Sequence, residues 1–222
     1  IEQVTEAFES LQTSQNKPLM VLLDYGEVNL TELDSYLNHD KKIIISSTPV
    51  NRDVINVAFV GVGGFATGMH LPNISKLTDK YKIYAIMNRS GHKAKAVAQQ
   101  YGANYATSNL DDILNDKNVD LVIISTRHDS HAELTLKALE AGKNVFVEKP
   151  LATNKEELEK IKKFYEGGGD KPLLFVGFNR RFSAYAQEIK KHTSARINPM
   201  IIRYRMNAGY IPMDHWVHEN GG

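Results

Sequence analysis

Lys149 stands between Glu148 and Pro150, directly after the apolar stretch 144–147. A lysine at the C-terminal end of a buried strand faces the crevice where open α/β sheets take their ligands. Partial removal from water lowers the pKa of an ammonium and lets it relay a proton. Glu148 beside it can orient the lysine or accept from a ribose or amide of a ligand. Both residues are also ordinary surface charges, so position alone leaves the choice open.

A second cluster lies upstream. Residues 55–60, INVAFV, form an apolar, β-branched run that breaks into Gly61-Val62-Gly63-Gly64-Phe65-Ala66. The pattern is G-x-G-x-x-A, the dinucleotide-binding fingerprint. Gly61 permits a sharp turn. Gly63 lets the backbone approach a pyrophosphate, with Gly64 and Phe65 beside it. Ala66 lets the following helix pack closely on the strand. The free N–H groups of that helix N-terminus face the phosphates. Glycine turns also occur without a ligand, so the motif carries weight only with a strand before it and a helix after it.

Three further groups follow. Asn88-Arg89-Ser90 ends the next strand, about 20 residues beyond the fingerprint, where NAD enzymes place an acid on the adenosine ribose. Here the acid is absent and an arginine follows, an arrangement that suits the 2′-phosphate of NADP. Ser125, Thr126, Arg127 and His128 end another strand, with His131 close behind. His131 can contact a ligand, or it can cap or pack. Tyr210, Asp214, His215, Trp216 and His218 could line a sugar pocket or be structural loop residues. His215 and His218 lack a third ligand and a helical frame, so no metal is expected.

These groups need elements to position them. The spacing predicts helices over 4–11 and 31–38, strands over 19–23 and 42–46, and a linker over 46–53 with Pro49 in it. From Val54 onward, strands (55–60, 82–87, 104–106, 119–125, 144–147, 173–176) alternate with helices (from Ala66, 91–101, 109–115, 129–141, 154–165). That rhythm predicts a doubly wound parallel Rossmann sheet. A helix over 183–192 follows. Residues 200–206 alternate charged and apolar side chains, which predicts a half-buried antiparallel strand opening a second, α+β substrate domain. The expected division is 1–53, 54–182 and 183–222.

The chain has 222 residues, 42% hydrophobic and 24% charged, with a net charge of +1. No basic stripe points to nucleic acid. No apolar run approaches the roughly 20 residues of a membrane span. There is no signal-peptide pattern, and there are no cysteines. Together these suit a cytoplasmic protein.

Several segments resemble the glucose–fructose oxidoreductase and inositol dehydrogenase family, Gfo/Idh/MocA. They are the fingerprint continued to His70-Leu71-Pro72, and 125–133 (STRHDSHAE), similar to the family's T-P-x-x-x-H-A-E. The most specific is 138–152 (ALEAGKNVFVEKPLA), with Gly177-Phe178-Asn179-Arg180-Arg181-Phe182 a weaker match. Arg127 departs from the family's usual proline. The chain also stops at Gly221-Gly222, before the downstream D-x-x-x-H-like motif. Ile1 and the final glycines therefore read as cuts through a longer protein, a piece expected to bind cofactor weakly and turn over no substrate. The front, 4–23, is similar to the C-terminal tail of medium-chain zinc-type alcohol dehydrogenases, which suggests a fusion.

The resemblance implies an NAD(P)-dependent oxidoreductase acting on a sugar, sugar nucleotide or cyclitol, homo-oligomeric when full length. It implies that Lys149 contacts the reacting oxygen, that Arg180, Tyr210, His215 and Trp216 line the substrate site, and that NADP or NAD binds at the residues named above. A non-catalytic dinucleotide-binding sensor or scaffold is the alternative on the same fold. A methyltransferase reading fits the E-K-P segment and the six-strand pattern poorly.

Overall fold

The computed structural model describes residues 41–47, 52–207 and 209–218. The helices expected over 4–11 and 31–38 and the strand over 19–23 lie outside the described residues, as do Gly221 and Gly222.

Seven strands form one sheet: β1 (Lys42–Ile44), β2 (Ile55–Val60), β3 (Tyr81–Met87), β4 (Tyr105–Thr107), β5 (Leu121–Ile124), β6 (Asn144–Val147) and β7 (Leu174–Val176). Their order is β1-β4-β3-β2-β5-β6-β7. All neighbours from β4 to β7 are parallel; only β1 is antiparallel, on β4. Counted from β2, this is the 3-2-1-4-5-6 order of the Rossmann fold, with its switch point between β2 and β5. The expected parallel doubly wound sheet is present.

β2 is central, and its pleat explains the core. Val57 and Phe59 point into one apolar layer with Val62, Ala66, Leu71, Ile86 and Ala98. Ala58 and Val60 point into the other, with Val122, Ile124, Leu139, Val147 and Ile161. Successive side chains alternate between faces, so a strand covered on both sides reads as a continuous apolar run.

The helices are α1 (Leu71–Ile74), α2 (Gly91–Tyr101), α3 (Asp111–Leu114), α4 (His131–Glu140), α5 (Lys155–Glu166) and α6 (Ala184–Thr193). Ahead of α1, Ala66–His70 form a π-helical turn in which the Leu71 N–H reaches back to the Ala66 carbonyl. Such turns widen the helix and often occur at functional sites; the sequence pattern did not announce this one. α5 is capped by Asn154, whose side chain accepts from the Glu157 N–H at 2.9 Å. Thr153 N–H returns a bond to Glu157 at 2.8 Å, and this bond holds the Glu157 carboxyl below its usual value.

Two expectations need correction. The expected division puts the strand over 42–46 in a segment preceding the sheet; Lys42–Ile44 instead pairs with the sheet edge, Ile43 opposite Ala106. Residues 200–206 form no strand, and no antiparallel substrate sheet occurs among the described residues. Ile201 is 92% exposed and Tyr204 74%. Alternation specifies which face a side chain would take, but a strand also needs a neighbour for its N–H and C=O groups.

Candidate functional site

The ends of β2, β3, β5 and β6 open into one cleft of about 1300 Å³. It lies at the switch point, where open α/β sheets hold ligands. Of the residues expected to contact cofactor, Gly61, Gly63, Gly64, Phe65, Asn88, Arg89, Ser125, Thr126, Arg127, His128, His131, Glu148 and Lys149 line it.

The fingerprint turn contains two kinds of glycine. Gly61 has φ +87°, and a Cβ there would meet Thr126 Cγ2 at 2.7 Å and the Ser125 carbonyl at 3.0 Å. Its N–H donates to the Met87 carbonyl at 2.9 Å, and its own carbonyl accepts from Ser125 Oγ at 2.7 Å. Gly61 is thus wedged between strand ends. At Gly63 and Gly64 an added Cβ would meet nothing within 4 Å. Their backbone is open to the cleft, as close approach of a pyrophosphate requires. Ala66 is fully buried in the core and does not line the cleft; its side chain packs against the sheet.

Glu148 directly follows β6 and is 8% exposed. Its Oε1 lies 2.8 Å from His70 Nε2, so the helix after the fingerprint is joined to the E-K-P segment. Gly177 makes room: a Cβ there would come within 3.1 Å of the same carboxylate oxygen. The His70 ring is edge-on to Phe65 and Phe146, with ring centres 5.2 and 5.3 Å away. No chemical role for His70 was legible in sequence, because its partner is 78 residues away.

Lys149 is exposed at the cleft wall. The expected partial desolvation is therefore absent, and its reach into the cleft, not burial, is what qualifies it. His131 is the reverse. It is completely buried, with Nδ1 2.7 Å from the Pro150 carbonyl and Nε2 3.2 Å from the Thr126 carbonyl. Both ring nitrogens face protein carbonyls, so the ring packs against the protein where it borders the cleft.

At the other end of the cleft, Asn88 Oδ1 accepts from the Val62 N–H at 3.4 Å, while Arg89 is exposed. Ser90 does not line the cleft; its hydroxyl lies 3.0 Å from His92 Nδ1.

Of the expected substrate contacts, Arg180 lines the cleft from the turn Asn179–Phe182. Arg181 lines it too and sits 4.9 Å from the ring centres of both Phe175 and Phe182. Tyr210, 85% exposed, and His215 stand outside it. Trp216 belongs to a short turn, Trp216–His218, whose Val217 reaches the cleft, as does Met206. No long-range rule applied to sequence could place these last two. Among the described residues, no group of three or more His, Asp or Glu is placed to hold a metal.

The model of an oxidoreductase family with an NAD-binding Rossmann fold, Gfo/Idh/MocA, matches residues 55–193. The chain belongs to the Gfo/Idh/MocA family. It is 39% identical over 139 residues to the uncharacterized oxidoreductase YhhX of Escherichia coli, covering 62% of this chain and 39% of that protein. It is 34% identical over 165 residues to inositol 2-dehydrogenase 3 of Saccharopolyspora erythraea, covering 72% and 45%. Among solved structures it is similar to the WlbA dehydrogenase of Bordetella pertussis in complex with NADH and UDP-GlcNAcA. That match has a TM-score of 0.59 at 27% identity, over 66% of this chain and 42% of that one. This Gfo/Idh/MocA chain thus spans less than half the length of the curated relatives named here. The expected family and Rossmann fold are borne out.

The residues of the cleft fit a nicotinamide dinucleotide. An open glycine turn at a helix N-terminus suits the pyrophosphate, and the cleft runs from Arg89 at one end to Lys149 at the other.

Proposed function

We propose that the protein is an NAD(P)-dependent oxidoreductase that interconverts a hydroxyl and a carbonyl on a sugar, sugar nucleotide or cyclitol. The observation that carries this reading is the placement of Lys149 in the same switch-point cleft as the open backbone of Gly63 and Gly64. Inositol and UDP-GlcNAcA in the names of two relatives support the substrate class. In this reading Gly61, Gly63, Gly64 and Phe65 hold the pyrophosphate. Asn88 and Arg89 face the adenosine ribose, and Ser125, Thr126, Arg127, His128 and Glu148 face the nicotinamide half. The bound nicotinamide supplies the hydride acceptor or donor. Lys149 Nζ holds the substrate oxygen and moves its proton, giving it during reduction and taking it during oxidation. Arg180 orients the substrate's hydroxyl groups. Residues 54–182, with β1 paired at the sheet edge, are the cofactor domain, and 183–222 belong to a substrate domain, while the segment ahead of β1 carries the tail of a medium-chain dehydrogenase-like module.

Turnover of inositols, sugars and nucleotide sugars by the full-length protein, followed at 340 nm, tests the reading. Tight NADPH binding with no turnover of any polyol or ketone would favour the sensor or scaffold instead.

Cofactor choice follows from the ribose end. The absence of an acid at Asn88, with the Arg89 guanidinium beside it, favours NADP over NAD. Asn88→Asp moves the preference toward NAD, because a carboxylate repels a 2′-phosphate and accepts from a 2′-hydroxyl. Arg89→Ala weakens NADP more than NAD, by about 1–3 kcal/mol for a charged hydrogen bond. Titration of each nucleotide checks both; tighter NAD than NADP in the unmutated protein refutes the assignment.

A further inference from the structure

We infer that His131 is a positioning residue that clasps the loop carrying Lys149 to the loop carrying Thr126. The kinetic part of this inference rests on the reading of Lys149 given above; the clasp itself does not.

β5 and β6 run side by side, with Ile124 opposite Val147. Beyond that pair the Glu148 N–H still donates to the Ile124 carbonyl at 2.9 Å. Lys149 comes next, and then Pro150, which has no N–H to extend the ladder. The two loops that border the cleft therefore separate where backbone pairing ends. Carbonyl groups left there need donors, and a buried one without a donor is costly.

The His131 ring supplies the link. It begins α4 and has no exposed surface. The contact from Nδ1 to the Pro150 carbonyl is the shorter, at 2.7 Å, which places the ring proton on Nδ1. Nε2, then unprotonated, makes no bond to the Thr126 carbonyl 3.2 Å away, and the ring is tied to that loop by the chain itself, through residues 127–130. Ser130 reinforces that side, its Oγ 2.7 Å from Thr126 Oγ1 and donating to the Arg127 carbonyl at 2.8 Å. Thr126 in turn abuts Gly61, and Ser125 bonds to the Gly61 carbonyl. A continuous set of contacts thus runs from the phosphate turn, through the β5 loop and His131, to the residue after Lys149. Other titratable groups close by are His128, whose ring centre is 5.7 Å away, and Lys149 itself.

The test uses amide geometry. Asparagine places its amide nitrogen where Nδ1 stood; glutamine places its amide nitrogen near the position of Nε2. His131→Asn therefore keeps the Pro150 bond, and His131→Gln loses it. In the full-length protein, hydrogen exchange at the Glu148 amide should accelerate at least about fivefold in His131→Gln and stay near wild type in His131→Asn. With Lys149 displaced, kcat should fall about 10–100-fold in His131→Gln and change little in His131→Asn, with cofactor Kd nearly constant in both. A merely structural histidine would make the two variants alike, each losing activity in step with its Tm. Equal exchange in the two variants overturns the clasp. Fast exchange with unchanged kcat in His131→Gln keeps the clasp and removes Lys149 from proton transfer. Ring ¹⁵N shifts of the unmutated protein need no variant: a proton on Nδ1 is expected, and a neutral ring protonated on Nε2 alone overturns the clasp.

Discussion

Replacing Lys149 by Met in the full-length protein is expected to lower kcat by about 10²–10⁴, the usual contribution of a positioned acid or base. In barrier height this is about 3–5 kcal/mol. The side chain is exposed at the cleft wall, so its removal leaves no buried partner unpaired and no cavity in the core. Methionine keeps most of the stem and removes only the ammonium. The loss should therefore fall on kcat, while cofactor affinity and Tm change little. Lys149→Arg should not restore activity, because a guanidinium is a far weaker acid than an ammonium and does not readily give up a proton. A near-normal kcat in Lys149→Met would return the residue to the solvated surface.

Gly61→Ala and Gly63→Ala are expected to fail in different ways. At Gly61 an alanine must hold φ +87° and place its Cβ 2.7 Å from Thr126 Cγ2 and 3.0 Å from backbone atoms of Ser125. Backbone strain of about 1–3 kcal/mol adds to overpacking of similar size. The expected loss is about 2–6 kcal/mol of stability, or roughly 5–20 °C in Tm for a chain of this length. At Gly63 the new methyl meets nothing in the protein. Tm should hold, and NADPH affinity should fall at least about tenfold, because the methyl occupies the space a pyrophosphate needs. Thermal unfolding and nucleotide titration on both variants separate the two effects. Unchanged NADPH binding by Gly63→Ala would move the phosphate site away from this turn.

Much of the frame was legible because it depends on neighbours along the chain. The apolar run at Ile55–Val60 and the glycine turn after it predicted a buried strand feeding a helix, and both are present. The ends of α2 and β6 matched the expectation, Gly102 closing α2 with φ +64°. Helix periodicity, caps and turn glycines are local signals, and they bounded most elements to within a few residues. The fingerprint and the E-K-P segment likewise placed Lys149, Glu148 and Gly63 at one cleft, since parallel strands bring their C-terminal ends to the same edge.

What the local signals left open was settled by contacts between distant residues. Gly61 and Gly63 are the same residue type two positions apart, but only the approach of Ser125 and Thr126 makes one a fold requirement. His131 had both ligand contact and packing open to it; folding set its ring between carbonyls of two separate loops, with Nδ1 donating to Pro150. His70 gained a partner in Glu148 only because the helix after β2 crosses to the end of β6. Residues 200–206 have the alternation of a strand but no neighbour among the described residues to pair with. A sequence states what each side chain and backbone group can do. Which of those capacities is used depends on the atoms that packing brings within about 3 Å, the range over which hydrogen bonds act.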